Sequence, residues 1–333
     1  MARPGLGVTI KTSTLERSAL AVTEIGFGGA PIGGLFSAVS EEAAFGALEA
    51  AWNGGVRYFD TAPLYGYGLS EQRMGAFLRA KPRDTFVIST KVGRLLEPTR
   101  GVGETGGSLA AFVGALPNDA FFDFSADAVK RSLEASLIRL GLDRIDIAYL
   151  HDPDDFLDAA VNEAFPALRG LREQGVVRAI GAGMNQWQML ERFVRTCDLD
   201  AILLAGRYTL LDRSAAHTLL PLCLERGVAV FAAGVFNSGI LAQAEPAADA
   251  TYNYVAAPAP VLERARAMAR TCARFGVRLP AAAIQFPRRH PAIAAVILGM
   301  RTAAEVAANL TDQSALIPPE LWPELETDSG REG

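Results

Sequence analysis

The chain has 333 residues, 50% of them hydrophobic, and a mean hydropathy of +0.18, which is typical of a folded protein with a large core and excludes disorder as its main state. Its 32 Lys and Arg against 37 Asp and Glu give a net charge of −5, so no overall positive field would hold nucleic acid or an anionic membrane. The length fits two domains of about 150 residues or one α/β barrel of about 250 residues with insertions.

Cysteine usage and the N-terminal segment predict the compartment. Cys197, Cys223 and Cys272 lie far apart and form no CxxC pair, and histidines do not cluster, so we expect neither disulfides nor a metal site. The first 20 residues carry charges without an unbroken apolar segment, and no run of about 18 apolar residues follows. We therefore expect a cytoplasmic protein that is neither exported nor inserted into a membrane.

Short apolar segments alternate with segments of helical periodicity along the chain. The predicted strands are 22–26, 56–60, 86–91, 145–150, 177–181, 201–205, 228–231 and 294–298. The predicted helices are 40–52, 70–80, 125–140, 159–174, 187–196, 214–226, 260–275 and 302–309. Eight strands alternating with eight helices predict an α/β fold, a (β/α)8 TIM barrel. We interpret residues 1–333 as one domain with its barrel core at about 20–312.

A doubly wound dinucleotide-binding sheet is the alternative fold. Gly26, Gly28 and Gly29 follow the first predicted strand as in a glycine-rich phosphate loop. Pro31 and two further glycines then stand where the helix of that motif should begin, and such a sheet usually has about six strands. The strand count therefore favours the barrel.

Three further segments lie outside the repeating pattern. Residues 8–21 precede the first barrel strand, and they predict a β-hairpin that closes the barrel floor or, alternatively, a plain tail. Two longer interruptions, at about 93–124 and 232–259, each follow a strand. We expect both to form long loops on the C-terminal face, where barrel enzymes keep their sites.

Four polar residues end or follow predicted strands, where a barrel gathers side chains into one mouth. They are Asp60, Tyr65, Lys91 and His151. Each alone has an ordinary explanation, such as a helix cap, a surface tyrosine, a solvated lysine or a core histidine. Together they favour chemistry, because an ammonium beside a phenol favours the phenolate and lowers its pKa while a carboxylate keeps the ammonium charged. Tyr65 is then a candidate general acid or base, with His151 orienting a substrate oxygen.

Residues 59–71, with Ser89, Thr90 and Lys91 and the Leu150–His151 pair, resemble the signature of the aldo-keto reductase superfamily. The resemblance extends from residue 14 to residue 310. It implies a (β/α)8 barrel that binds NAD or NADP in an extended form, with Asp60, Tyr65, Lys91 and His151 as a catalytic tetrad. The implied cofactor contacts are Met184, Asn185, Ser238, Gly239, Gly299, Arg301, Glu305 and Asn309.

Residues 151–154, 205–211 and 234–241 resemble the branch of this family that holds L-fucose dehydrogenase, D-threo-aldose 1-dehydrogenase and pyridoxal 4-dehydrogenase. The branch implies oxidation of C1 of an aldose to a lactone. A pyridoxal 4-dehydrogenase, a broad carbonyl reductase and a non-catalytic cofactor-binding regulatory subunit stay open as alternatives, and the oligomeric state is open too. A plain loop turn remains an alternative interpretation of Ser238 and Gly239.

Three positions depart from the pattern that the resemblance implies. Ala205 and Ala233 stand where many members carry a glutamine and a tyrosine that stacks on the nicotinamide. Glu305 stands where many NADP-preferring members place an arginine, with Arg301 four residues earlier. A carboxylate repels a 2′-phosphate and accepts from a 2′-hydroxyl, so we expect a preference for NAD.

Overall fold

Eight parallel strands close into a barrel in the computed structural model, which describes residues 10–98 and 112–329. In chain order they are β1 (Ile25–Gly28), β2 (Tyr58–Asp60), β3 (Val87–Val92), β4 (Ile147–His151), β5 (Ala179–Met184), β6 (Ala201–Ala205), β7 (Ala229–Ala233) and β8 (Ile293–Gly299). Each strand pairs with the next, and β8 closes the barrel against β1. The predicted (β/α)8 fold is confirmed.

The first predicted strand covers parts of two different strands. Residues 22–26 include the end of Ala21–Thr23, which pairs antiparallel with Thr12–Thr14, and the start of β1. The side chain of Thr23 marks the break, because its Oγ1 donates to the carbonyl of Ile25 at 2.8 Å and accepts from the amide of Arg57 at 3.1 Å. The other seven predicted strands overlap the observed ones closely.

The N-terminal hairpin closes the floor of the barrel, as predicted. Leu15, Leu20 and Val22 from this hairpin are buried against the inward-facing side chains of the barrel, including Phe231. The hairpin spans residues 12–23 rather than 8–21, and residues 8 and 9 lie outside the described residues.

The described helices are α1 (Glu41–Asn53), α2 (Leu69–Leu78), α3 (Ala126–Leu140), α4 (Leu157–Ala159), α5 (Phe165–Glu173), α6 (Trp187–Thr196), α7 (Leu219–Glu225), α8 (Ala259–Arg274), α9 (Leu279–Gln285), α10 (Ala303–Gln313) and α11 (Leu321–Ser329). The helix predicted at 159–174 is interrupted by a π-turn at Ala160–Ala164, next to Pro166, whose nitrogen cannot donate the usual helical hydrogen bond. The helix predicted at 214–226 is shorter, since only residues 219–225 are helical.

Helix α9 was not predicted, because its sequence is apolar on every side and lacks helical periodicity. Its first six residues are all buried. It packs against α10, whereas the predicted helix α8 packs against α11, which was also not predicted. The alternating pattern therefore predicted the correct number of barrel strands but too few helices among the described residues.

Both long interruptions lie on the C-terminal side of the barrel, as expected. The first contains an antiparallel hairpin of Arg94–Pro98 with Asn118–Phe122, and residues 99–111 lie outside the described residues. The second contains a 3-10 turn at Asn237–Gly239 and a small hairpin of Thr251–Tyr252 with Val255–Ala256. They follow β3 and β7, so both approach the mouth of the barrel.

Within residues 10–98 and 112–329, no helix is long and apolar enough to cross a membrane. The same part of the chain contains no group of three metal-ligating side chains. All three cysteines are free thiols. The division of the chain as a single domain and the cytoplasmic location stay predictions.

Candidate active site

A cavity of about 650 Å³ opens at the C-terminal ends of the barrel strands. Its lining includes Asp60 at the end of β2 and Tyr65 in the following loop, at the mouth of the barrel, and reaches Asn309 in α10, outside the strands. The lining includes the backbone of glycines at 28, 29 and 299 together with aromatic side chains from several loops. Its extent suits an elongated ligand with polar groups at both ends.

Asp60 and Lys91 form a buried ion pair beneath the cavity. The Lys91 Nζ atom donates to Asp60 Oδ2 at 2.8 Å and to the backbone carbonyl of Thr61 at 2.9 Å. Parallel pairing of β2 with β3 aligns Asp60 with Ser89, which places Lys91 two residues further along on the same face. Lys91 is 1% exposed, so its charge is held by these contacts rather than by water.

Tyr65 lies directly over this ion pair. Lys91 Nζ is 4.5 Å from the centre of the Tyr65 ring. The turn that carries Tyr65 is held by a hydrogen bond from its amide to the carbonyl of Ala62 at 3.1 Å. Gly33 packs against the same turn so closely that a Cβ there would lie 2.7 Å from the carbonyl carbon of Tyr65. Glycine is therefore required at position 33 for this approach.

The net pKa of Tyr65 runs against our prediction. Burial is the largest influence on the pKa of the Tyr65 phenol and raises it; the Lys91 ammonium lowers it and the Asp60 carboxylate raises it, and together these effects raise the pKa to about 12. The lysine acts in the predicted direction, but burial outweighs it. For Lys91 itself, burial lowers the pKa, but Asp60 and Tyr65 more than offset this and raise it, so the side chain stays an ammonium.

His151 ends β4 and faces Tyr65. The two rings are perpendicular, with their centres 5.8 Å apart. Burial, followed by the charges of Arg94 and Lys91, holds the pKa of His151 well below its usual range, so its imidazole is neutral at neutral pH. Its Nε2 atom lies 3.6 Å from Oδ2 of Asp152, which accepts a hydrogen bond from Arg94 at 2.8 Å. A neutral imidazole can donate to one substrate oxygen without carrying charge.

The structure brings most of the predicted site residues to one cavity. Those that line it are Asp60, Tyr65, Asn185, Ser238, Gly239, Gly299, Arg301, Glu305 and Asn309. Lys91 and His151 lie just behind the lining, against Tyr65. Met184 is the exception, because alternation along β5 directs its side chain into the apolar layer that also contains Ile180 and Ala182, away from the barrel interior. Its predicted contact with a cofactor is therefore not supported by its position.

Ser238 and Gly239 form part of a strained turn beside the cavity. Ser238 has a φ of 62°, and its Oγ accepts from the amide of Tyr254 at 3.0 Å. Gly239 has a φ of 104°, and a Cβ at this position would meet no atom within 4 Å. Its backbone therefore faces open space, which suits the approach of a large ligand.

The far end of the cavity carries two arginines that are already paired with carboxylates. Arg301 donates to Glu305 through Nε at 3.0 Å and Nη2 at 2.7 Å. Arg278, which we did not predict, pairs with Asp312 at 3.1 Å. The positive charge at this end is thereby largely balanced.

Three aromatic residues near the site escaped prediction. The rings of Phe36 and Tyr254 lie 6.0 Å apart on the cavity lining, and the ring of Phe112 lies 6.1 Å from that of Tyr65. All three belong to loops, where hydrophobic periodicity predicts nothing about side-chain positions. The sequence shows only that each of these loops contains an aromatic residue. Ala205 and Ala233, two of the three positions expected to depart from the family pattern, line the cavity.

Backbone strain is concentrated around this cavity. Of the eight non-glycine residues with positive φ among those described, five line it, namely Phe36, Asn237, Ser238, Asn253 and Tyr254. Such conformations cost about 1–3 kcal/mol each and are found most often at functional sites. The strained residues therefore indicate the same cavity as the functional site that the polar residues indicate.

Comparison with known proteins assigns the class. Residues 24–327 match the model of the aldo/keto reductase family, and the chain belongs to this family. It is 47% identical to D-threo-aldose 1-dehydrogenase of a Pseudomonas species over 92% of this chain and 94% of that protein. It is 40% identical to pyridoxal 4-dehydrogenase of Microbacterium luteolum over 94% of this chain and 96% of that protein. The predicted family and branch are confirmed.

Solved structures share the same fold. An aldo-keto reductase of Bacillus halodurans in its holo form superposes with a TM-score of 0.75 at 24% identity, covering 96% of both chains. Glycerol dehydrogenase of Gluconobacter oxydans superposes with a TM-score of 0.76 at 21% identity, covering 95% of this chain and 94% of that one. At these identities the likeness bears on the fold alone.

Proposed function

We propose that this oxidoreductase is an NAD(P)-dependent dehydrogenase that oxidises C1 of a cyclic aldose to a lactone. The observation that carries the proposal is the position of Tyr65, which lines the cavity with the Lys91–Asp60 ion pair directly behind its ring. The 47% identity to D-threo-aldose 1-dehydrogenase supports an aldose as the substrate class.

A nicotinamide cofactor would supply hydride transfer from C1 of the sugar when bound, and the protein's residues handle the proton that the C1 hydroxyl loses. Tyr65, as a phenolate, takes this proton. Lys91 stabilises the phenolate by charge, and Asp60 keeps Lys91 charged and aimed. His151 donates to the oxygen of the reacting carbon and orients it. One hydride and one proton leave the sugar, which balances the two-electron oxidation to a lactone.

The residues of the cavity fit a nicotinamide dinucleotide. The cavity extends from Tyr65 to Asn309, so both ends of an elongated molecule find polar groups. Asn185 lies near the catalytic end, where its Nδ2 donates to the carbonyl of Ala205 at 2.9 Å and leaves its amide oxygen for a nicotinamide amide. Ser238 and Gly239 would hold phosphate oxygens midway, and Gly299, Arg301, Glu305 and Asn309 would hold the adenosine end.

The appearance of reduced nicotinamide, followed by its near-ultraviolet absorbance, tests the function. Purified protein is mixed with NAD or NADP and with L-fucose, D-arabinose, L-galactose, other aldoses or pyridoxal. Turnover with an aldose and lactone formation are expected. Turnover only in the reverse assay, with an aldehyde and NADH or NADPH, would replace the proposal by a carbonyl reductase, and cofactor binding without any turnover would replace it by a regulatory subunit.

A pyridoxal 4-dehydrogenase is the second candidate, favoured by the 40% identity to the enzyme of Microbacterium luteolum. Both reactions remove a hydride and a proton from a carbon that carries a hydroxyl, so the same four residues would serve. The two candidates differ in the ligand, since one is a polyhydroxylated sugar ring and the other an aromatic ring. Relative kcat/KM values in the same assay separate them.

We expect the protein to prefer NAD, because Glu305 both neutralises Arg301 and would repel a 2′-phosphate. Replacing Glu305 by alanine should free the guanidinium and shift the ratio of kcat/KM for NADP over NAD upward by about tenfold, which corresponds to about 1.4 kcal/mol. Measuring kcat/KM with both cofactors checks this expectation.

Glu191→Ala is the matched control for this prediction. Glu191 forms the same kind of i,i+4 pair with Arg195 at the same 2.7 Å distance, but it does not line the cavity. Its removal should leave the cofactor ratio unchanged. An unchanged ratio in Glu305→Ala as well would mean that this carboxylate does not determine cofactor preference.

A further inference from the structure

A line of polar side chains runs through the barrel interior and ends on Asp60. The hydroxyls of Tyr58 and Tyr149 lie 3.4 Å apart, and the Tyr58 hydroxyl lies 3.0 Å from Ser89 Oγ. Ser89 Oγ in turn donates to Asp60 Oδ1 at 2.7 Å. Tyr58, Tyr149 and Ser89 have no solvent exposure, so water does not compete for these hydrogen bonds.

The direction of the hydrogen bonds along this line follows from the number of protons that its members can donate. The carboxylate of Asp60 can only accept, so the single proton of Ser89 is committed to it. Ser89 Oγ must then accept from Tyr58, and the Tyr58 oxygen must accept from Tyr149. Three O–H dipoles therefore point the same way, with their positive ends towards Oδ1 of Asp60. Aligned hydrogen bonds of this kind polarise and strengthen one another in a low-dielectric interior.

We propose that Ser89, Tyr58 and Tyr149 are positioning residues that hold Asp60 and set the charge it presents to Lys91 and Tyr65. The inference rests on the proposed function of Tyr65. Ser89 donates to Oδ1 of Asp60, so Oδ2 is the oxygen that remains to face Lys91. Asp60 Oδ2 accepts a hydrogen bond from Lys91 Nζ at 2.8 Å. The line also spreads part of the negative charge of Asp60 away from the phenol.

The sign of the effect on Tyr65 follows from the charges that face it. These are Lys91 from β3, which lowers its pKa, and Asp60 from β2 and Asp152 beyond β4, which raise it. His151 is neutral, and the charge of Arg94 is engaged by Asp152. Without the Ser89 hydroxyl, more of the negative charge of Asp60 acts on Tyr65, and the pKa of the Tyr65 phenol rises. Should the proton of Lys91 pass to Asp60 instead, the stabilising ammonium is lost and this pKa rises as well.

The test is the pH dependence of turnover in Ser89→Ala, Tyr58→Phe and Tyr149→Phe. We expect the midpoint of the limb on which turnover rises with pH, where Tyr65 loses its proton, to move to higher pH by about half a pH unit in Ser89→Ala, which is roughly a threefold fall in rate at a fixed pH below the midpoint. Tyr58→Phe should give a smaller shift and Tyr149→Phe the smallest, because each lies one hydrogen bond further from Asp60.

Thr90→Ala provides a matched control. Thr90 is the next residue of β3, is equally buried, and also donates to a carboxylate at 2.7 Å, but its partner is Glu71 on the opposite face of the strand. We expect Thr90→Ala to lower the melting temperature, as Ser89→Ala does, while its pH profile stays that of the parent protein.

The outcomes separate this inference from the proposed function. A parent protein without turnover, or an active Tyr65→Phe, would overturn the function itself. An active parent whose pH profile is unchanged in Ser89→Ala, or is shifted equally by Thr90→Ala, would overturn only the positioning role. If Ser89→Ala does not fold, Tyr58→Phe decides, since it removes one oxygen and leaves the packing of its ring against Phe231 in place.

Discussion

Tyr65→Phe is expected to lower turnover by about a hundredfold to ten-thousandfold, the range in which a positioned acid or base contributes to proton transfer. The substitution removes only the hydroxyl, and the ring keeps its packing against Phe112 and His151. Cofactor affinity should therefore stay within a few-fold of the parent value. Turnover is measured with the best substrate from the aldose panel, and the dissociation constant of NAD is measured by fluorescence titration.

Tyr67→Phe supplies the control for this prediction. Tyr67 lies two residues further along the same loop, is buried and packs against Phe112, but it does not line the cavity. Its substitution should leave kcat nearly unchanged. Equal losses of turnover and of NAD affinity in Tyr65→Phe would contradict a role in proton transfer, because they would indicate a disturbed binding cavity instead.

The barrel could be predicted because its strands repeat a local pattern. Buried strands such as Ala201–Ala205 are short, apolar and bounded by turn signals, so their bounds are visible without tertiary information. The helix Leu279–Gln285 shows the limit of this approach. It is covered on all sides by other elements, so nothing in its sequence alternates.

The site residues could be predicted from the sequence where the order of the strands alone determines their positions. Asp60, Lys91 and His151 lie at or next to the ends of adjacent strands β2, β3 and β4, so parallel pairing brings them together. The same logic could have revealed Ser89, because residues two apart on a strand share a face, and Ser89 precedes Lys91 by two. Alternation along β5 would equally have predicted that the side chain of Met184 faces away from the barrel interior.

Quantities that depend on burial were beyond the sequence. The predicted fall in the pKa of Tyr65 considered the charge of Lys91 but not the loss of water around the phenol, and burial is the larger effect. The ring pair of Phe36 and Tyr254 joins two loops that are more than 200 residues apart in sequence. Such contacts depend on loop conformations with positive φ, and the residue types Phe and Tyr do not predict such conformations.

Lys91→Met is expected to lower both turnover and stability. The substitution removes the charge that favours the phenolate, so kcat should fall by about a hundredfold or more. It also leaves the carboxylate of Asp60 buried without its partner, and breaking a buried ion pair in this way typically costs about 3–5 kcal/mol. Denaturant unfolding measures the second effect and steady-state kinetics the first.

The double variant Lys91→Met, Asp60→Asn separates the two effects. Asparagine removes the stranded charge, and its amide can still accept from Ser89, so the free energy of unfolding should recover by a large part of the loss. Turnover should not recover, because Tyr65 still lacks the ammonium that stabilises its phenolate. If turnover recovered together with stability, Lys91 would act on the fold alone. The combination of restored folding and absent turnover is what distinguishes a catalytic lysine from one that only fills the barrel.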